Sequence, residues 1–600
     1  MEGLSRIQNR GYDSAGVATL DDVNLTEEFI QIDKFVSDDS RSAIEELQSI
    51  GYSDSPIAIG HTRWATHGSK TVDNAHPHIS NETFAIVHNG IIENYRELRE
   101  ELEEQGYYFR SETDSEVIAH LLNYYYEDYG YPPAKDKSRK ILVETAIDKT
   151  VARLRGTWAV AVMHYEHPDT IWCFRNGSPL VIGVSSDSVM VASEQSAFDE
   201  SISKYTVVED SAIIAVHTSG TVQYNTNTYW IDRVEEDLPD TPEPFDHWTL
   251  KEIHEQADAV ERATNMGGRI LNEDSVKLGG LEDYSEELIN TDHLIVVGCG
   301  TSYYAGMIGV DYLKRIGGFK TVQLFDAAEF EWLDIPRTGK SIMLVLSQSG
   351  ETRDIQNCLS IAGENGLRTI GVVNVVDSTI ARAVDCGVYL NAGREVGVAS
   401  TKSFMCQVVV LNMIAIWFSQ MRGSHSLLRE RYIKDLRKLH LDVKKTIALS
   451  ENNVRICAER DFDNIFVIGS RRCKAIALEG ALKIKEMSYV HAEGSSAHSL
   501  RHGPFALLDK NFPVVMIAPD DSTYGKSLNV YEEISARGAD ILVISDRNDG
   551  TKQVLKVADN TKFKDLLCVI PLQLLAYYKA CNKGINPDTP RNLAKVVTVD

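Results

Sequence analysis

The stretch Ser341-Ile-Met-Leu-Val-Leu-Ser-Gln-Ser-Gly-Glu-Thr352 decides the fold class of the second half of the chain. It begins as an apolar run and continues into small and hydroxyl-bearing residues around a glycine. An apolar run followed by a short loop and a helix is typical of a parallel strand that is buried on both faces. The same order recurs at His293–Gly298 and at Thr369–Val373. We therefore predict a doubly wound α/β domain.

A weaker echo of this pattern occurs nearer the C-terminus. Its apolar runs are Asn464–Gly469, Pro513–Ile517 and Asp540–Ser545. Because these runs again alternate with helical segments, we predict that the α/β unit is duplicated.

Two loops that follow predicted strands have the composition of an anion-binding site. They are Gly298–Ser302 and Ser347–Thr352, and small residues there let backbone amides and a helix N-terminus approach an anion. Ligands of open parallel sheets bind at this end of the strands. Either loop alone is explained equally well by helix capping and tight turns. Two such loops, with Ala399–Lys402 at a third helix start, favour phosphate binding.

The helix predicted to begin near Ala475 carries a paired base and acid. Lys483 and Glu486 are three residues apart and therefore share a face, whereas Lys485 points away. The common meaning of this spacing is a surface ion pair. The functional alternative is a base with the partner that tunes it.

The first half of the chain has a different pattern of short strands with no regular helix predicted between them. We therefore predict a strand-rich α+β domain. Its Pro-bearing segment Tyr131–Lys137 is predicted to be a loop, and the acidic, Pro-rich segment Glu235–Pro244 an interdomain connection. The predicted strands are residues 56–60, 84–88, 158–164, 181–184, 189–192 and 213–217.

Composition limits the classes of protein to which the chain can belong. Its 600 residues predict several domains, and 43% hydrophobic with 25% charged residues is ordinary for a globular protein. We find no signal-peptide pattern and no apolar run long enough for a bilayer, and the nine cysteines lack disulfide or metal-ligand spacing. We therefore expect a cytoplasmic protein without a metal site or cofactor. The net charge of −26 argues against nucleic acid or acidic membranes as partners.

The second half contains six distinctive motifs, which are GCGTSYYAG, LSQSGETRD, EVGVASTKSF, ALEGALKIKEMSYVHAE, RHGP and PRNLAKVVTVD. Together they resemble the sugar-isomerase (SIS) domains of the glucosamine-6-phosphate synthases, that is, the glutamine:fructose-6-phosphate aminotransferases. They extend over most of the chain from residue 290 onward. A generic SIS protein would share the SQSGET-like loop but not the last motif.

The resemblance implies roles for individual residues. Lys595 would form an imine with the open-chain ketose, although a solvated lysine near a flexible terminus is the alternative meaning of its position. Lys483 and Glu486 would transfer protons, and His502 of a neighbouring subunit would assist ring opening, which implies a homodimer. The sugar phosphate would be held by Ser347, Gln348, Ser349 and Thr352, with Thr301, Ser302, Val398 and Ser400 around the sugar.

Residues 11 to 230 resemble the glutaminase domain of the same family, an N-terminal-nucleophile amidotransferase. The motifs are RGYDSAG, HTRWATHG, NAHPH, VHNGIIENY, SETDSEVIAHLL and RNGSPLVIG. Arg63 would bind the glutamine α-carboxylate and Asp114 its α-amino group, with a structural ion pair as the alternative. Asn89 and the amide of Gly90 would face the oxyanion. Trp64 would gate an ammonia path, or simply pack in the core.

The sequence departs from the family pattern in two places. The family nucleophile is an N-terminal cysteine, whereas this chain reads Met1-Glu2-Gly3-Leu4 and has no cysteine before Cys173. We expect that a misassigned start omits the first strand and this cysteine; a genuine loss is the rival hypothesis. The second departure is near the sugar site, where His498 and Ser499 replace Gly-Glu and Val596 replaces Ser.

Together these observations predict a glutamine-dependent synthase of glucosamine 6-phosphate. An ammonia-dependent synthase or a sugar-phosphate isomerase with an inactive glutaminase half is one alternative, and a sugar-phosphate-binding regulator is another. The predicted domains are a glutaminase domain at 1–235, a connection at 236–280, SIS domains at 281–425 and 455–590, and a tail at 591–600.

Overall fold

The computed structural model describes residues 1–8, 11–22, 28–38, 41–51, 55–64, 68–128, 138–186, 188–224, 230–232, 241–547 and 553–595. The chain divides into two compact units, Met1–Asp237 and Leu238–Lys595. The predicted loop at 131–137, part of the predicted connection at 235–244, and Val596 lie outside the described residues.

The first unit contains three antiparallel sheets, with strand orders β2-β1-β3, β13-β10-β8-β9 and β12-β11-β7-β6-β5-β4. The strands are β1 Ser14–Asp22, β2 Glu28–Val36, β3 Ala58–Arg63, β4 His78–Ser80, β5 Phe84–Ile92, β6 Gly156–His164, β7 Thr170–Asn176, β8 Val181–Val184, β9 Val189–Ala192, β10 Lys204–Val207, β11 Ile213–His217, β12 Val222–Tyr224 and β13 Ile231–Asp232. The helices are α1 Glu2–Arg6, α2 Ala43–Ile50, α3 Tyr95–Glu104, α4 Glu116–Asp128 and α5 Ser138–Val151.

The six-stranded sheet is covered on both faces. Along β6, Trp158 and Val160 pack in the core that α3 and α4 also enter, whereas Ala159 and Ala161 pack in the core shared with β1 and β3. This alternation follows from the two-residue period of a strand. The unit is therefore a layered α+β domain whose central sheet is buried on both faces.

The prediction that no regular helix separates the strands of the first unit is wrong. Helices α3, α4 and α5 lie between β5 and β6. In the highly charged α3, the buried residues Leu98 and Leu102 are four positions apart, which is the spacing of one helical face. In α4 most residues are buried, so its sequence lacks the polar face that would indicate a helical period. Strands β1, β2, β4, β7, β10, β12 and β13 were not predicted either.

The second unit contains two five-stranded parallel sheets with the same strand order. The orders are β15-β14-β16-β17-β18 and β20-β19-β21-β22-β23. The strands are β14 His293–Gly298, β15 Thr321–Asp326, β16 Ser341–Ser347, β17 Arg368–Val373, β18 Cys386–Tyr389, β19 Asn464–Gly469, β20 His491–Ser496, β21 Pro513–Ile517, β22 Asp540–Ser545 and β23 Gln553–Lys556. The matching orders confirm the predicted duplication.

The helices of the second unit pack on these sheets, most of them in one large apolar core and α11, α12 and α17 in smaller separate cores. They are α6 Trp248–His254, α7 Gln256–Ala263, α8 Gly279–Glu282, α9 Ser285–Ile289, α10 Gly300–Ile316, α11 Arg353–Glu364, α12 Thr379–Ala383, α13 Lys402–Met421, α14 Ser426–Arg437, α15 Leu439–Ala458, α16 Arg472–Ser488, α17 Tyr524–Ser535, α18 Lys564–Leu567 and α19 Val569–Asn582.

Helix α13 contradicts the expectation that no apolar run is long enough to cross a bilayer. Judged by length and composition alone, α13 could span a membrane, because the mean hydropathy of its most apolar window is 1.6. However, 89% of that window is buried inside the protein. A helix that is apolar on every side is also what the core of a large domain requires, and α13 occupies that position here.

Candidate functional site

The ammonium group of Lys595 lies in a cage of oxygen atoms in the second unit. Its Nζ donates hydrogen bonds to Glu395 Oε2 at 2.8 Å and to the Gly397 carbonyl at 2.8 Å, and Ser400 Oγ lies 3.4 Å away. The side chains of Lys595 and Glu395 are only 4% and 0% exposed. The alternative of a solvated lysine is therefore wrong, because this amine is buried and held in one position.

Glu395 is fixed from the other side by the start of α13. Its carboxylate accepts hydrogen bonds from the backbone N–H groups of Thr401 and Ser403, at 2.9 and 3.2 Å, and from the Ser403 hydroxyl at 2.8 Å. Burial opposes its ionisation, but the charge and hydrogen bond of Lys595, with the Thr401 amide, lower the pKa of Glu395 to about 2. Glu395 is therefore a permanent counterion for the lysine.

A second charged cluster lies on α16. Lys483 Nζ donates to Glu486 Oε2 at 2.6 Å and lies 3.6 Å from Glu479 Oε1. Lys483 is 1% exposed and Glu486 is 20% exposed, so the pair is not the surface ion pair of the alternative interpretation. Burial would lower the pKa of Lys483, but the charges of Glu479 and Glu486 raise it above its ordinary value. The lysine therefore stays an ammonium beside a carboxylate that is partly open to solvent.

Glu479 links this cluster to the loop at the start of α10. It accepts a hydrogen bond from Thr301 Oγ1 at 3.3 Å. Burial raises the pKa of Glu479 to about 7, against the opposing charge of Lys483. Sequence reasoning missed this residue, although its position four residues before Lys483 on the same helix face was a usable signal. Ser302, beside Thr301, accepts a hydrogen bond from Gln407 Nε2 at 2.8 Å.

The predicted phosphate loop connects β16 to the N-terminus of α11. Ser347 Oγ accepts a hydrogen bond from the Gly350 amide at 2.9 Å and lies 3.0 Å from Thr352 Oγ1. Ser349 Oγ accepts a hydrogen bond from the backbone amide of Glu351 at 3.1 Å, and the neighbouring Gln348 is half-buried. Gly350 has φ +69°. The loop therefore folds tightly around its own hydroxyls directly in front of a helix N-terminus, where an anion is favoured.

Two further sequence-predicted residues are Val398, in the loop that surrounds Lys595, and His502. Val398 is buried, and its amide donates to the Asp588 carbonyl at 3.1 Å. His502 ends a 3₁₀ helix and is exposed, and its side chain makes no hydrogen bond with another described residue. In the same turn Arg501 forms a bidentate pair with Glu533, at 2.8 and 2.6 Å.

The first unit contains a cavity of about 360 Å³ that is lined by the four residues predicted to bind glutamine or its oxyanion and by the predicted ammonia gate. Three histidines that sequence reasoning did not single out also line it, and the His61 and His76 rings stack at 4.3 Å. The repeated histidines of HTRWATHG, NAHPH and VHNG were the available signal. The predicted residues are Arg63, Trp64, Asn89, Gly90 and Asp114.

Arg63 and Asp114 are both buried in the wall of this cavity. The Arg63 guanidinium lies 3.5 Å from the carbonyl oxygens of Gly68 and Ser69. Burial lowers the pKa of Arg63, although the charges of Asp13 and Asp114 oppose that shift. Asp114 Oδ2 accepts the Ile92 amide at 2.7 Å, which ties the carboxylate to the end of β5.

Asn89 and Gly90 are placed at the cavity by β5. His61 Nε2 donates to Asn89 Oδ1 at 2.9 Å, so the Asn89 Nδ2 group remains as a donor on the other side of the amide. Gly90 has φ +136°, and a Cβ added there would overlap the Thr157 carbonyl oxygen. Only glycine fits this backbone position.

No cysteine occurs among the described residues that line the cavity. Cys173 lies on β7, fully buried, and burial raises the pKa of its thiol far above the ordinary value. A thiol in that environment is unreactive. The cavity thus brings together a guanidinium, a carboxylate and amide donors, but the described residues that line it add no thiol.

Comparison with known proteins agrees with both halves of this description. Residues 61–200 match the family model described as a glutamine amidotransferase domain, and residues 287–417 and 460–562 match the SIS domain model. The second unit therefore contains two SIS domains.

Relatives of similar length span the whole chain. A probable glutamine–fructose-6-phosphate aminotransferase (isomerizing) of Acanthamoeba polyphaga mimivirus is 40% identical over 623 residues, covering 100% of this chain and 97% of that protein. The glutamine–fructose-6-phosphate aminotransferase (isomerizing) of Aquifex aeolicus is 38% identical over 614 residues with the same coverage. A solved C-terminal domain of glucosamine-fructose-6-phosphate aminotransferase from Francisella tularensis superposes with a TM-score of 0.55 at 30% identity, covering 59% of this chain and 100% of that one. The chain belongs to the glutamine–fructose-6-phosphate aminotransferase (isomerizing) family.

Proposed function

We propose that this protein transfers the amide nitrogen of glutamine to fructose 6-phosphate and isomerises the sugar, producing glucosamine 6-phosphate and glutamate. The observation that carries this proposal is the buried, caged amine of Lys595 in the same unit as the Lys483–Glu486 pair. A regulator that only binds a sugar phosphate has no chemical need for either group. The caged lysine therefore favours an enzyme over a sensor.

The phosphate would be bound by the loop from Ser347 to Thr352. Its hydroxyls and the amides at the start of α11 offer hydrogen-bond donors, and the helix dipole adds partial positive charge. This local field matters because the chain as a whole carries a charge of −26 and repels phosphate.

The carbon chemistry would use the two charged clusters in turn. After the Lys595 ammonium has lost a proton to water, its neutral amine would add to the C2 carbonyl of the open-chain ketose, and loss of water would leave an imine. Ammonia would then add to C2 and expel the lysine amine, which leaves the nitrogen of ammonia on C2. Glu486 moves a proton from C1 to C2, which converts the ketose skeleton into an aldose. The raised pKa of Lys483 keeps it charged, so that it stabilises the Glu486 carboxylate as the base.

Glutamine would bind in the cavity of the first unit. The Arg63 fork suits its α-carboxylate and Asp114 suits its α-amino group. Asn89 Nδ2 and the Gly90 amide would stabilise the oxyanion, and Trp64 would gate the exit of ammonia.

A second candidate function is an ammonia-dependent synthase, or a sugar-phosphate isomerase. The observation that favours it is the absence of a cysteine from the described lining of the cavity. Either enzyme would use Lys595, Lys483 and Glu486 but would not consume glutamine.

We further propose a cytoplasmic homodimer that binds neither nucleic acid nor membranes. The exposure of His502 is consistent with its completing the sugar site of the other subunit. The strong net negative charge supports the exclusion of anionic polymers and surfaces.

The test supplies fructose 6-phosphate with either amide-¹⁵N glutamine or ¹⁵N ammonium and follows the label by mass spectrometry. Label from glutamine in glucosamine 6-phosphate is the expected result. Label from ammonium alone would establish the ammonia-dependent synthase, and an aldose phosphate without nitrogen would establish the isomerase. Binding without any conversion would overturn the enzymatic proposal in favour of a regulator.

A further inference from the structure

The carboxyl group of Glu252, on α6, holds the loop that surrounds Lys595. Glu252 is 1% exposed, and its Oε1 accepts hydrogen bonds from the amides of Val396 and Gly397, at 2.5 and 3.3 Å. These two residues directly follow Glu395, and the Gly397 carbonyl is itself a ligand of the Lys595 ammonium. One carboxyl group therefore fixes the backbone between two of the oxygen atoms that hold the amine.

The same loop is tied to the C-terminal segment. The Val398 amide donates to the Asp588 carbonyl at 3.1 Å. The Asp588 carboxylate caps α6, accepting the amides of Trp248 and Thr249 at 2.9 and 2.7 Å. Helix α6, the loop at residues 395–400 and the segment at residues 587–595 thus form a closed ring of contacts, which we name the α6 clamp. In this ring the Glu252 carboxyl group connects α6 to the loop at residues 395–400.

We propose that Glu252 is a positioning residue for imine formation, which holds the Gly397 carbonyl and the Glu395 carboxylate at the distances that orient Lys595. Glu252 does not touch the reacting atoms; it acts through the loop. This inference rests on the proposed role of Lys595 as the amine that forms the imine.

The charge state of Glu252 suits this role. Burial and the neighbouring charge of Glu395 raise the pKa of Glu252 to about 8, while Lys595 and Lys402 oppose the shift. Its Oε2 is buried and has no hydrogen-bond partner within the described parts of the chain, which would be costly for an ionised oxygen. Lys402 is paired with Glu255 at 2.7 Å and is therefore engaged elsewhere. A neutral Glu252 accepts the two amides and leaves Glu395 as the one carboxylate that pairs with the lysine among the described residues.

Three substitutions separate positioning from general stability. Glu252→Gln keeps an acceptor oxygen of the same reach and no charge, Glu252→Asp withdraws the acceptor by one methylene, and Glu252→Ala removes it. The matched control is Asp385→Ala, because Asp385 also accepts a backbone amide, that of Thr369 at 2.8 Å. Thr369 is near the start of β17, at the end of the sheet opposite the ligand edge.

The measurements on the full chain are the rate of borohydride trapping of fructose 6-phosphate on Lys595, kcat and KM for the sugar, and the thermal unfolding midpoint. We expect Glu252→Ala and Glu252→Asp to lower trapping rate and kcat about tenfold to a hundredfold at unchanged KM, because small misplacements of a nucleophile are that costly. Glu252→Gln should stay within about threefold of the unsubstituted protein. Asp385→Ala should lower the unfolding midpoint alone.

Trapping rates equal to the unsubstituted protein in folded Glu252→Asp and Glu252→Ala would overturn the inference. So would a loss in Glu252→Gln as large as in Glu252→Ala, because it would assign the effect to charge. Should the alanine variant fail to fold, Glu252→Asp, which retains the carboxylate, decides the question. Failure of the unsubstituted protein to trap any sugar on Lys595 would instead refute the proposed function.

Discussion

Glu395 Oε2 and Lys595 Nζ lie 2.8 Å apart although the two residues are separated by 200 positions in the chain. The ion pair is buried, and removing one member of such a pair leaves the other charge uncompensated at a cost of about 3–5 kcal/mol. We therefore expect Glu395→Gln to release the segment that carries Lys595. Hydrogen exchange of residues 585–595 should accelerate, and the sugar reaction should fail. Unchanged exchange would show that the tail is held by other contacts.

Lys595→Ala tests the chemical role of the amine. Sugar conversion should be abolished, because no other described amine is held by the Gly397 carbonyl and Ser400. Binding of fructose 6-phosphate should remain, since the phosphate loop belongs to β16 and α11. Calorimetric titration beside a product assay measures both. Conversion that survives this change would refute the isomerase assignment.

The phosphate loop predicts a selective loss of affinity. In Ser347→Ala the Gly350 amide loses its acceptor at 2.9 Å, so the loop should open and KM for fructose 6-phosphate should rise about tenfold. Ser360→Ala is the matched control, because that hydroxyl lies on the exposed side of α11. An equal rise of KM in both variants would count against a phosphate site at Ser347.

Glu252 predicts a pH dependence of stability. Its pKa of about 8 in the folded protein lies above the ordinary glutamate value of about 4.3, so the folded protein retains a proton that the unfolded chain releases. The associated stability is complete below about pH 4 and is lost as the pH rises to 8. Glutamine does not titrate, so Glu252→Gln does not lose this stability as the pH rises. The unfolding free energy of the variant minus that of the unsubstituted protein should therefore increase from pH 5 to pH 8, by on the order of 3 kcal/mol.

Urea unfolding at four pH values between 5 and 8 measures this difference. The pKa shift of Glu395 has the opposite sign, because its pKa is lowered to about 2 in the folded protein. The stability that this shift contributes is present above about pH 4.3 and is lost as the pH falls toward 2. It therefore contributes no slope in the chosen window. A difference between variant and unsubstituted protein that stays constant with pH would exclude a raised pKa at Glu252.

Gly90 predicts a steric effect at the glutamine cavity. In Gly90→Ala the new Cβ would meet the Thr157 carbonyl, and φ is +136° as well, so the backbone must move and the oxyanion donor with it. We expect at least about 2 kcal/mol of destabilisation and weaker glutamine binding. Gly106→Ala is the control, because it also has a positive φ, +92°, but no atom within 4 Å. Calorimetry with glutamine and thermal unfolding separate the two effects.

Local signals in the sequence were sufficient for several features. Three strands of the second repeat, Asn464–Gly469, Pro513–Ile517 and Asp540–Ser545, have the predicted bounds, because buried parallel strands are short apolar runs. The Lys483–Glu486 contact followed from helical spacing alone. Motif resemblance selected five of the residues that line the cavity of the first unit.

Other features were decided only by the tertiary structure. Helix α3 was missed because its apolar face consists of only a few residues, among them Leu98 and Leu102, in a mostly charged segment. Helix α4 was missed because most of its residues are buried, so it has no clear polar face. The counterion of Lys595, the burial of that amine and the hold of Glu252 on the loop depend on contacts between distant segments. Residue order determines which groups are neighbours along one helix or strand. The electrostatic environment of a side chain depends on which distant groups folding brings within a few ångströms of it and on how much water is excluded there.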